Sequence, residues 1–240
     1  MIVDVTEVEH YTDNLFKFKT TRPTTYKFRA GEFVMVGLDN DDRSIPKRPY
    51  SFCNGPNEDY LEFYSIKLPD GPLTSKLQHI KEGDKLFVGD KTTGTLVTDN
   101  IWPGGIPNSN LWLIATGTGI APFMSLLRDP EIYGMFNQVN VCWTTRTIKD
   151  QDAYKSILET MDCNYIPTVT QEDFHRRGRI TDLIKEGKAF QEASPEKDKV
   201  MLCGSMDFNI EMRNYLEERG WLEGSKSQVG SFVVEKAFVK

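Results

Sequence analysis

The feature that most constrains the fold is a change of hydrophobic pattern near residue 100. Before it, short alternating or β-branched stretches are separated by Gly, Pro and Asp turns, which is typical of a small antiparallel barrel. After it, buried-type apolar strands alternate with segments of helical spacing, which indicates βαβ units and a mostly parallel, doubly wound sheet. The stretch NIWPGGIPNSN at 100–110 is a credible boundary. We therefore expect an antiparallel β-barrel domain over 1–100 and an α/β domain over 101–240.

The same patterns predict the individual elements. Barrel strands are expected at 14–20, 31–38, 48–54, 60–68 and 84–90. Strands of the α/β half are expected at 111–116, 139–145, 164–170 and 199–205, with helical segments at 121–129, 152–161, 180–187 and 208–220. The last apolar stretch, 231–238, is predicted to be a strand that returns toward the barrel.

Composition excludes several classes of protein. The 240 residues carry a formal net charge of −6, which argues against a general attraction to nucleic acid or to anionic membranes. There is no apolar run long enough to span a bilayer, and the start is acidic where a signal peptide would be basic, so we expect a cytoplasmic protein. The cysteines are scattered without a C-x-x-C pair, which predicts free thiols and no metal centre: Cys53, Cys142, Cys163 and Cys203.

A glycine-rich loop follows the first strand of the α/β half, where ligands of such sheets bind. The sequence ATGTGIAPFMSLL at 115–127 holds two glycines one residue apart, then a proline where a helix could begin. Glycine lets the backbone approach a phosphate closely, and a helix start offers unpaired N–H groups. The pattern is not G-x-G-x-x-G, so a phosphate-binding loop and a tight structural turn both remain open.

Cationic residues follow the next two strands. Arg146 comes just after the second strand, and TQEDFHRRGRITD after the third holds His175, Arg176, Arg177 and Arg179. Arginines at two strand ends of one sheet favour binding of a nucleotide phosphate, although each alone would fit a solvated basic loop. The fourth strand ends in LCGS, so Cys203 and Gly204 are expected near the same crevice. Buried packing is the alternative role for that cysteine.

Two stretches of the barrel half also carry candidate ligands. RPYS at 48–51 puts a cation, a flat ring and a hydroxyl on one predicted strand. LPDGPLTSKLQHI at 68–80 is a turn followed by a short helical pattern, in which Thr74 and Ser75 are predicted helix N-caps. Each stretch also has a structural reading: a surface strand with a buried tyrosine, and a loop that runs into a helix.

The motifs RPYS, DGPLTSKL, GTGIAPF, VMLCGS and FVVEKAFVK occur in the order and approximate spacing of the ferredoxin–NADP(+) reductase family. The chain resembles in particular the bacterial type, which ends in VEKAFV, and the match spans essentially the whole sequence. The resemblance implies an FAD-binding barrel and an NADP-binding α/β domain, with hydride transfer between NADPH and the flavin N5 coupled to one-electron transfer with ferredoxin or flavodoxin.

The resemblance also implies an FAD site. Arg48 would pair with the pyrophosphate, Tyr50 would lie against the isoalloxazine and the Ser51 hydroxyl would approach N5. Pro49 stands where bacterial members commonly have alanine, and loses only a backbone N–H. A bidentate cation suits a diphosphate, and an aromatic plane suits a flat heterocycle. The remaining implied FAD contacts are Ser65, Ile66, Lys67, Leu73, Thr74, Ser75, Thr116, Ala237 and Phe238.

For the nicotinamide nucleotide, the resemblance implies that Ser51, Cys203 and Glu235 line the reaction site. Gln171 stands where the family usually has the arginine that contacts the 2′-phosphate, and an amide cannot neutralise a phosphate. Arg179 matches the second phosphate-binding arginine. NADPH is therefore the expected donor, with weaker discrimination against NADH. The implied NADP contacts are Gly117, Thr118, Gly119, Arg146, Arg179, Cys203 and Gly204.

Two other functions use the same modules. The chain could be the reductase component of an oxygenase, although many of those add an iron–sulfur domain with clustered cysteines. It could also be a non-enzymatic flavin electron-transfer subunit, against which the arginines near the nucleotide loops argue. The resemblance implies an acidic electron carrier as partner, a monomer, and no nucleic-acid or membrane partner.

Overall fold

A computed structural model describes residues 1–38, 46–101 and 109–236, with the side chain of Lys236 excepted. The chain divides into two compact units. Of the described residues, the first unit contains those of 1–94 together with 121–129, and the second contains those of 95–120 and 130–236. No helix in the described ranges is long and apolar enough to cross a membrane.

The first unit is a six-stranded antiparallel sheet in the order β4-β3-β6-β1-β2-β5. A hydrogen bond between Tyr50 Oη and Ser65 Oγ (3.0 Å) joins β4 to β5, the two strands at the ends of this order, so the sheet curls toward closure. Its core is rich in phenylalanine, with Phe16, Phe18 and Phe63 almost wholly buried. The strands are β1 (Ile2–His10), β2 (Leu15–Thr21), β3 (Phe33–Leu38), β4 (Arg48–Ser51), β5 (Tyr60–Ile66) and β6 (Lys85–Val88).

The second unit is a parallel sheet of five strands in the order β11-β10-β7-β8-β9. The chain runs from β7 to β8 and β9 on one side, then returns to place β10 and β11 on the other. The order therefore reverses between β7 and β10, which is the switch point where open α/β sheets bind ligands. The strands are β7 (Asn110–Thr116), β8 (Gln138–Thr145), β9 (Asn164–Val169), β10 (Asp198–Gly204) and β11 (Phe232–Lys236).

The helices are short apart from the last. Ser205 caps that last helix by accepting a hydrogen bond from the Phe208 N–H, as an N-cap serine is expected to do. The α-helices are α1 (Thr74–Leu77), α2 (Ala121–Leu127), α3 (Ile132–Met135), α4 (Lys155–Leu158), α5 (Ile180–Lys185) and α6 (Met206–Glu217). Single 3-10 turns lie at Thr98–Asn100, Gly117–Ile120 and Lys149–Gln151.

The predicted fold class, an antiparallel barrel followed by a parallel α/β sheet, is confirmed. Two details differ. Strand β1 was not predicted, although its alternation buries Val3 and Val5. The helix expected at 152–161 is a single turn. The last predicted strand is present as β11, which pairs in parallel with β10 from Val200↔Phe232 to Gly204↔Lys236. Its return toward the barrel stays a prediction, and residues 237 and 238 lie outside the described ranges.

Candidate functional site

Strand β4 carries a cation, an aromatic ring and a hydroxyl within four residues. Tyr50 points into the core and is 8% exposed, while its neighbours Arg48 and Ser51 are half-buried. β4 pairs with β3 alone, so Pro49, which has no N–H to donate, is tolerated at the edge. The strand therefore holds a rigid aromatic ring between a cation and a hydroxyl.

The Tyr50 ring is fixed on several sides. Its hydroxyl is 3.0 Å from Ser65 Oγ, and the rings of Phe18 and Phe63 meet it edge-on at 6.2 Å between centroids. Burial raises the pKa of Tyr50 to about 12, against a small opposing effect of the Ser65 hydrogen bond and Arg48. Tyr50 and Ser65, both predicted FAD contacts, are thus in direct contact.

The two cations of this region have different surroundings. Arg48 donates a long hydrogen bond (3.4 Å) to the Lys47 carbonyl and forms no ion pair with a carboxylate in the described parts of the chain. Lys67 donates to the Thr12 carbonyl at 2.7 Å, which ties it to the turn before β2. Arg48 is therefore the less firmly held of the two cations, and its charge is available to an anionic ligand.

The prediction that Thr74 and Ser75 cap a helix is wrong. The N-cap position of α1 is Leu73, and no side chain caps it. The Thr74 hydroxyl instead donates back to the Leu68 carbonyl at 3.3 Å, and the Ser75 N–H donates to the Gly71 carbonyl at 3.1 Å. The hydroxyl of Thr74 is drawn into the preceding turn because that turn, closed by Gly71, folds back over it.

In the second unit, the glycine-rich loop crosses the end of β10 at the switch point. A Cβ built on Gly119 would lie 2.1 Å from the Cys203 carbonyl oxygen, and one on Gly204 would lie 2.3 Å from Thr116 Oγ1. Gly117 adopts a positive φ of 53°, which glycine tolerates best, and its carbonyl accepts a hydrogen bond from Trp143 Nε1 at 2.8 Å. These glycines are therefore needed for close approach between the loops after β7 and β10.

Cys203 and Glu235 lie side by side at this edge. They are register partners on β10 and β11, and both are buried. Glu235 Oε2 accepts a hydrogen bond from the Thr95 N–H at 2.9 Å. Burial raises the pKa of the Cys203 thiol well above its usual value, and the Glu235 carboxylate raises it further. Cys203 is therefore a neutral thiol, suited to packing against a ligand and unsuited to nucleophilic attack.

The arginines fall into two groups. The Arg146 carbonyl accepts a hydrogen bond from the Gln171 N–H at 2.9 Å, so the loops after β8 and β9 are joined where the predicted phosphate contacts lie. Arg179 precedes α5, and its guanidinium lies 3.8 Å from Glu211 of α6. The second cation of that cluster, Lys185, forms a 2.6 Å hydrogen bond with the same carboxylate.

Sequence reasoning missed two residues of these clusters. Thr95 carries no motif, and its contact with Glu235 spans 140 positions of the sequence. Glu211 lies in an ordinary amphipathic helix, where acidic residues are usually solvated. Ser51 stands in the first unit, Thr118 lies in the glycine-rich loop and Ile66 ends β5, as expected from their positions. Ala237 and Phe238 lie outside the described ranges.

No group of His, Cys, Asp and Glu side chains that could hold a metal ion occurs in the parts of the chain described. All four cysteines are free thiols, and Cys163 is the one that is not fully buried.

Comparison with known proteins gives the family. Residues 113–213 match the model of the oxidoreductase NAD-binding domain. The chain is 45% identical to the flavodoxin/ferredoxin–NADP reductase of Rhodobacter capsulatus, with 98% of this chain and 92% of that protein covered. It is 41% identical to the ferredoxin–NADP reductase of Azotobacter vinelandii, over 98% and 96% of the two chains.

A solved structure shows the same fold. It is the crystal structure of a ferredoxin NADP+ reductase from Neisseria gonorrhoeae with bound FAD and NADP, which matches with a TM-score of 0.90 over 99% of this chain and 98% of that one, at 24% identity. With identities above 40% over nearly the full length of two curated relatives, the chain belongs to the ferredoxin–NADP reductase family.

Proposed function

We propose that this chain is an FAD-dependent ferredoxin (flavodoxin)–NADP(+) oxidoreductase. The observation that carries the proposal is its family membership, since relatives 39–45% identical over 98% of the chain are named as such reductases. The two candidate sites contain groups that fit the cofactors of this family. Strand β4 of the first unit offers a rigid ring beside an available arginine. The glycine-rich loop of the second unit is closely packed at the switch point of the sheet.

The residues of the first unit fit FAD. Arg48 would neutralise the pyrophosphate, because no described carboxylate already pairs with it. Tyr50 would offer its ring to the isoalloxazine, held in place by Ser65. Ser51 would place its hydroxyl near the reactive nitrogen. The other proposed contacts are Pro49, Ile66, Lys67, Leu73, Thr74, Ser75, Thr116, Ala237 and Phe238.

The residues of the second unit fit NADP(H). The loop Gly117–Thr118–Gly119 would receive the nucleotide at the switch point, with Cys203 and Gly204 beside it. Arg146 and Arg179 would provide positive charge for phosphate groups. Glu235, held by Thr95, would line the nicotinamide site together with Cys203.

FAD, when bound, would supply the redox chemistry of hydride and single-electron exchange. The chain itself contributes binding and orientation. Its thiol at Cys203 stays protonated because it is buried. Hydride transfer itself would require no side chain to act as a strong acid or base. The rate then depends chiefly on how well Ser51, Cys203 and Glu235 position the reacting rings.

We further propose ferredoxin or flavodoxin as the redox partner, a cytoplasmic location and a monomeric state. The net charge of −6 supports the proposal that neither nucleic acid nor a membrane is a partner. An acidic carrier would then need a local basic surface on this acidic protein.

Two alternatives are weaker. Similarity to phthalate dioxygenase reductase is limited to the fold, at 18% identity over 67% of that chain, whereas the curated ferredoxin–NADP reductases reach 45%. A non-enzymatic electron-transfer subunit would bind FAD without being reduced by NADPH.

The test is anaerobic stopped-flow reduction of the purified yellow protein by NADPH and, separately, by NADH. Bleaching of the flavin band by NADPH, followed by reoxidation with ferredoxin or flavodoxin, is expected. Retention of FAD without reduction by either nucleotide would leave only the electron-transfer subunit, and absence of FAD would overturn the flavin site itself.

A further inference from the structure

The carboxylate of Glu211 lies close to two cations of the second unit. Its Oε1 is 2.6 Å from Lys185 Nζ, and its Oε2 is 3.8 Å from Arg179 Nη1. Glu211 is on α6, whereas Arg179 and Lys185 flank and end α5. Arg179 is 53% exposed, so a solvent-borne anion can reach its guanidinium.

Glu211 forms no hydrogen bond with Arg179. A separation of 3.8 Å exceeds hydrogen-bond length, so the two side chains interact only through charge. The backbone at Arg179 is fixed by other contacts: its carbonyl accepts from the N–H groups of Asp182 and Leu183, and the next N–H, of Ile180, donates to Thr144 Oγ1 at 3.1 Å. The hydrogen bond that Glu211 forms goes to Lys185.

A phosphate group that approaches Arg179 therefore meets a carboxylate that already attracts both neighbouring cations. The negative charges of the phosphate and of Glu211 repel each other, and the phosphate must compete with Glu211 for the guanidinium. Residue 171 is a glutamine and adds no second guanidinium, so no positive charge at that position compensates for the competition with Glu211.

We propose that Glu211 is a specificity-determining residue that weakens binding of the 2′-phosphate of NADP(H). It thereby reduces the preference of the protein for NADP(H) over NAD(H). This inference rests on the proposed function, in which Arg179 contacts that phosphate. Its effect is confined to ligands with a 2′-phosphate, because the carboxylate acts on the cation that distinguishes them.

The test measures binding without flavin chemistry, using 2′,5′-ADP and 5′-AMP, which differ only in the 2′-phosphate, as probes in isothermal titration calorimetry on the FAD-loaded protein. Glu211→Gln is expected to tighten 2′,5′-ADP about two- to fivefold, the range of a partly exposed charge pair, and to leave 5′-AMP unchanged. The gain should shrink in high salt. Glu217→Gln removes the same charge from the exposed end of the same helix and should change neither affinity.

A second comparison identifies the route of the effect. In an Arg179→Gln background, Glu211→Gln should lose most of its benefit, because the cation it competes for is gone. Unchanged or weakened 2′,5′-ADP binding in Glu211→Gln, with normal wild-type binding, would overturn this inference alone. If the wild type bound neither probe, the proposed nucleotide site and this inference would both fail.

Discussion

Glu235 and Thr95 are joined by a hydrogen bond from the Thr95 N–H to Glu235 Oε2 at 2.9 Å. The Thr95 hydroxyl also donates to the Val234 carbonyl at 2.9 Å, and Asn100 Nδ2 donates to the Thr95 carbonyl at 2.8 Å. The segment after the barrel strands therefore holds the end of β11 and orients the Glu235 carboxylate beside Cys203.

Replacement of Glu235 tests this orientation. Glu235→Ala should slow flavin reduction by NADPH roughly tenfold, because a misplaced nicotinamide ring reduces the population of reactive geometries. Glu235→Gln keeps an acceptor for the Thr95 N–H and should retain most of the rate. The measurement is stopped-flow reduction at saturating NADPH. A wild-type rate in the alanine variant would restrict Glu235 to a structural role.

Tyr50 predicts a loss of stability in alkaline solution. Its pKa is raised from 10.0 to about 12, so between these values the unfolded phenol ionises while the folded one keeps its proton. The free energy of unfolding should therefore be unaffected by Tyr50 below pH 10 and fall above it, by about 1.4 kcal/mol per pH unit. Tyr50→Phe should make that fall shallower, as measured by urea unfolding at several pH values.

Tyr26 provides the matched control for Tyr50. Burial also raises the pKa of Tyr26 to about 12, and its hydroxyl donates to the Gly89 carbonyl at 2.9 Å. Tyr26→Phe and Tyr50→Phe should both flatten the alkaline fall and cost about 1 kcal/mol at neutral pH through a lost hydrogen bond. Tyr50→Ala should lower the FAD content of the purified protein, whereas Tyr26→Ala, which removes the same ring elsewhere, should not. An equal loss of FAD in Tyr26→Ala would contradict a special role for Tyr50.

Gly119→Ala should cause a steric clash that lowers stability. The Cβ of Gly119→Ala would overlap the Cys203 carbonyl at 2.1 Å, so the loop or β10 must move, at about 1–3 kcal/mol in stability. The KM for NADPH should rise by a larger factor than that by which the FAD content falls. Gly134→Ala has no atom within 4 Å of its new Cβ and lies in α3, so it should be neutral or slightly stabilising. Equal thermal shifts in the two variants would refute the close-approach argument.

Gln171→Arg should strengthen discrimination between the nucleotides. A guanidinium beside Arg146 offers charged hydrogen bonds to a phosphate, so the KM for NADPH should fall about five- to tenfold and that for NADH should not change. Gln138→Arg adds the same charge at the opposite end of β8 and serves as the control. If both variants improved NADPH equally, a general attraction of charge would explain the result.

Arg128 provides a test of the barrel unit. Its Nη1 lies 3.0 Å from Glu62 Oε1, and these side chains are 12% and 1% exposed. Arg128→Met should destabilise the protein by about 3–5 kcal/mol, because a buried carboxylate loses this ion pair. Glu62→Gln in that background should recover part of the loss. Arg219→Ala, which breaks an exposed 3.9 Å pair, should cost less than about 1 kcal/mol.

Sequence periodicity predicted the order of strands along the chain and the two kinds of sheet, because the spacing of apolar residues reflects which faces of each strand or helix are buried. It missed β1, in which Val3 and Val5 are the fully buried residues, and it overextended α4, since helix length depends on tertiary packing. Motifs led to Tyr50 and Gly119. The contacts of Thr95 with Glu235, of Ser65 with Tyr50 and of Glu211 with Arg179 could not be predicted, because contacts between distant positions depend on strand register and helix docking.

The segment 121–129 follows the nucleotide loop in the sequence but belongs to the compact unit of the barrel. Ser125 Oγ donates to the Asn54 carbonyl at 2.7 Å, and Arg128 reaches both Glu62 and the Cys53 carbonyl. The chain thus passes between the units at 94/95, 120/121 and 129/130. Neither unit is therefore one continuous segment of the chain. A recombination at residue 95 that exchanged the α/β half would also replace the helix that packs in the barrel unit. The residues that this helix contacts would then have to be exchanged with it or already be compatible.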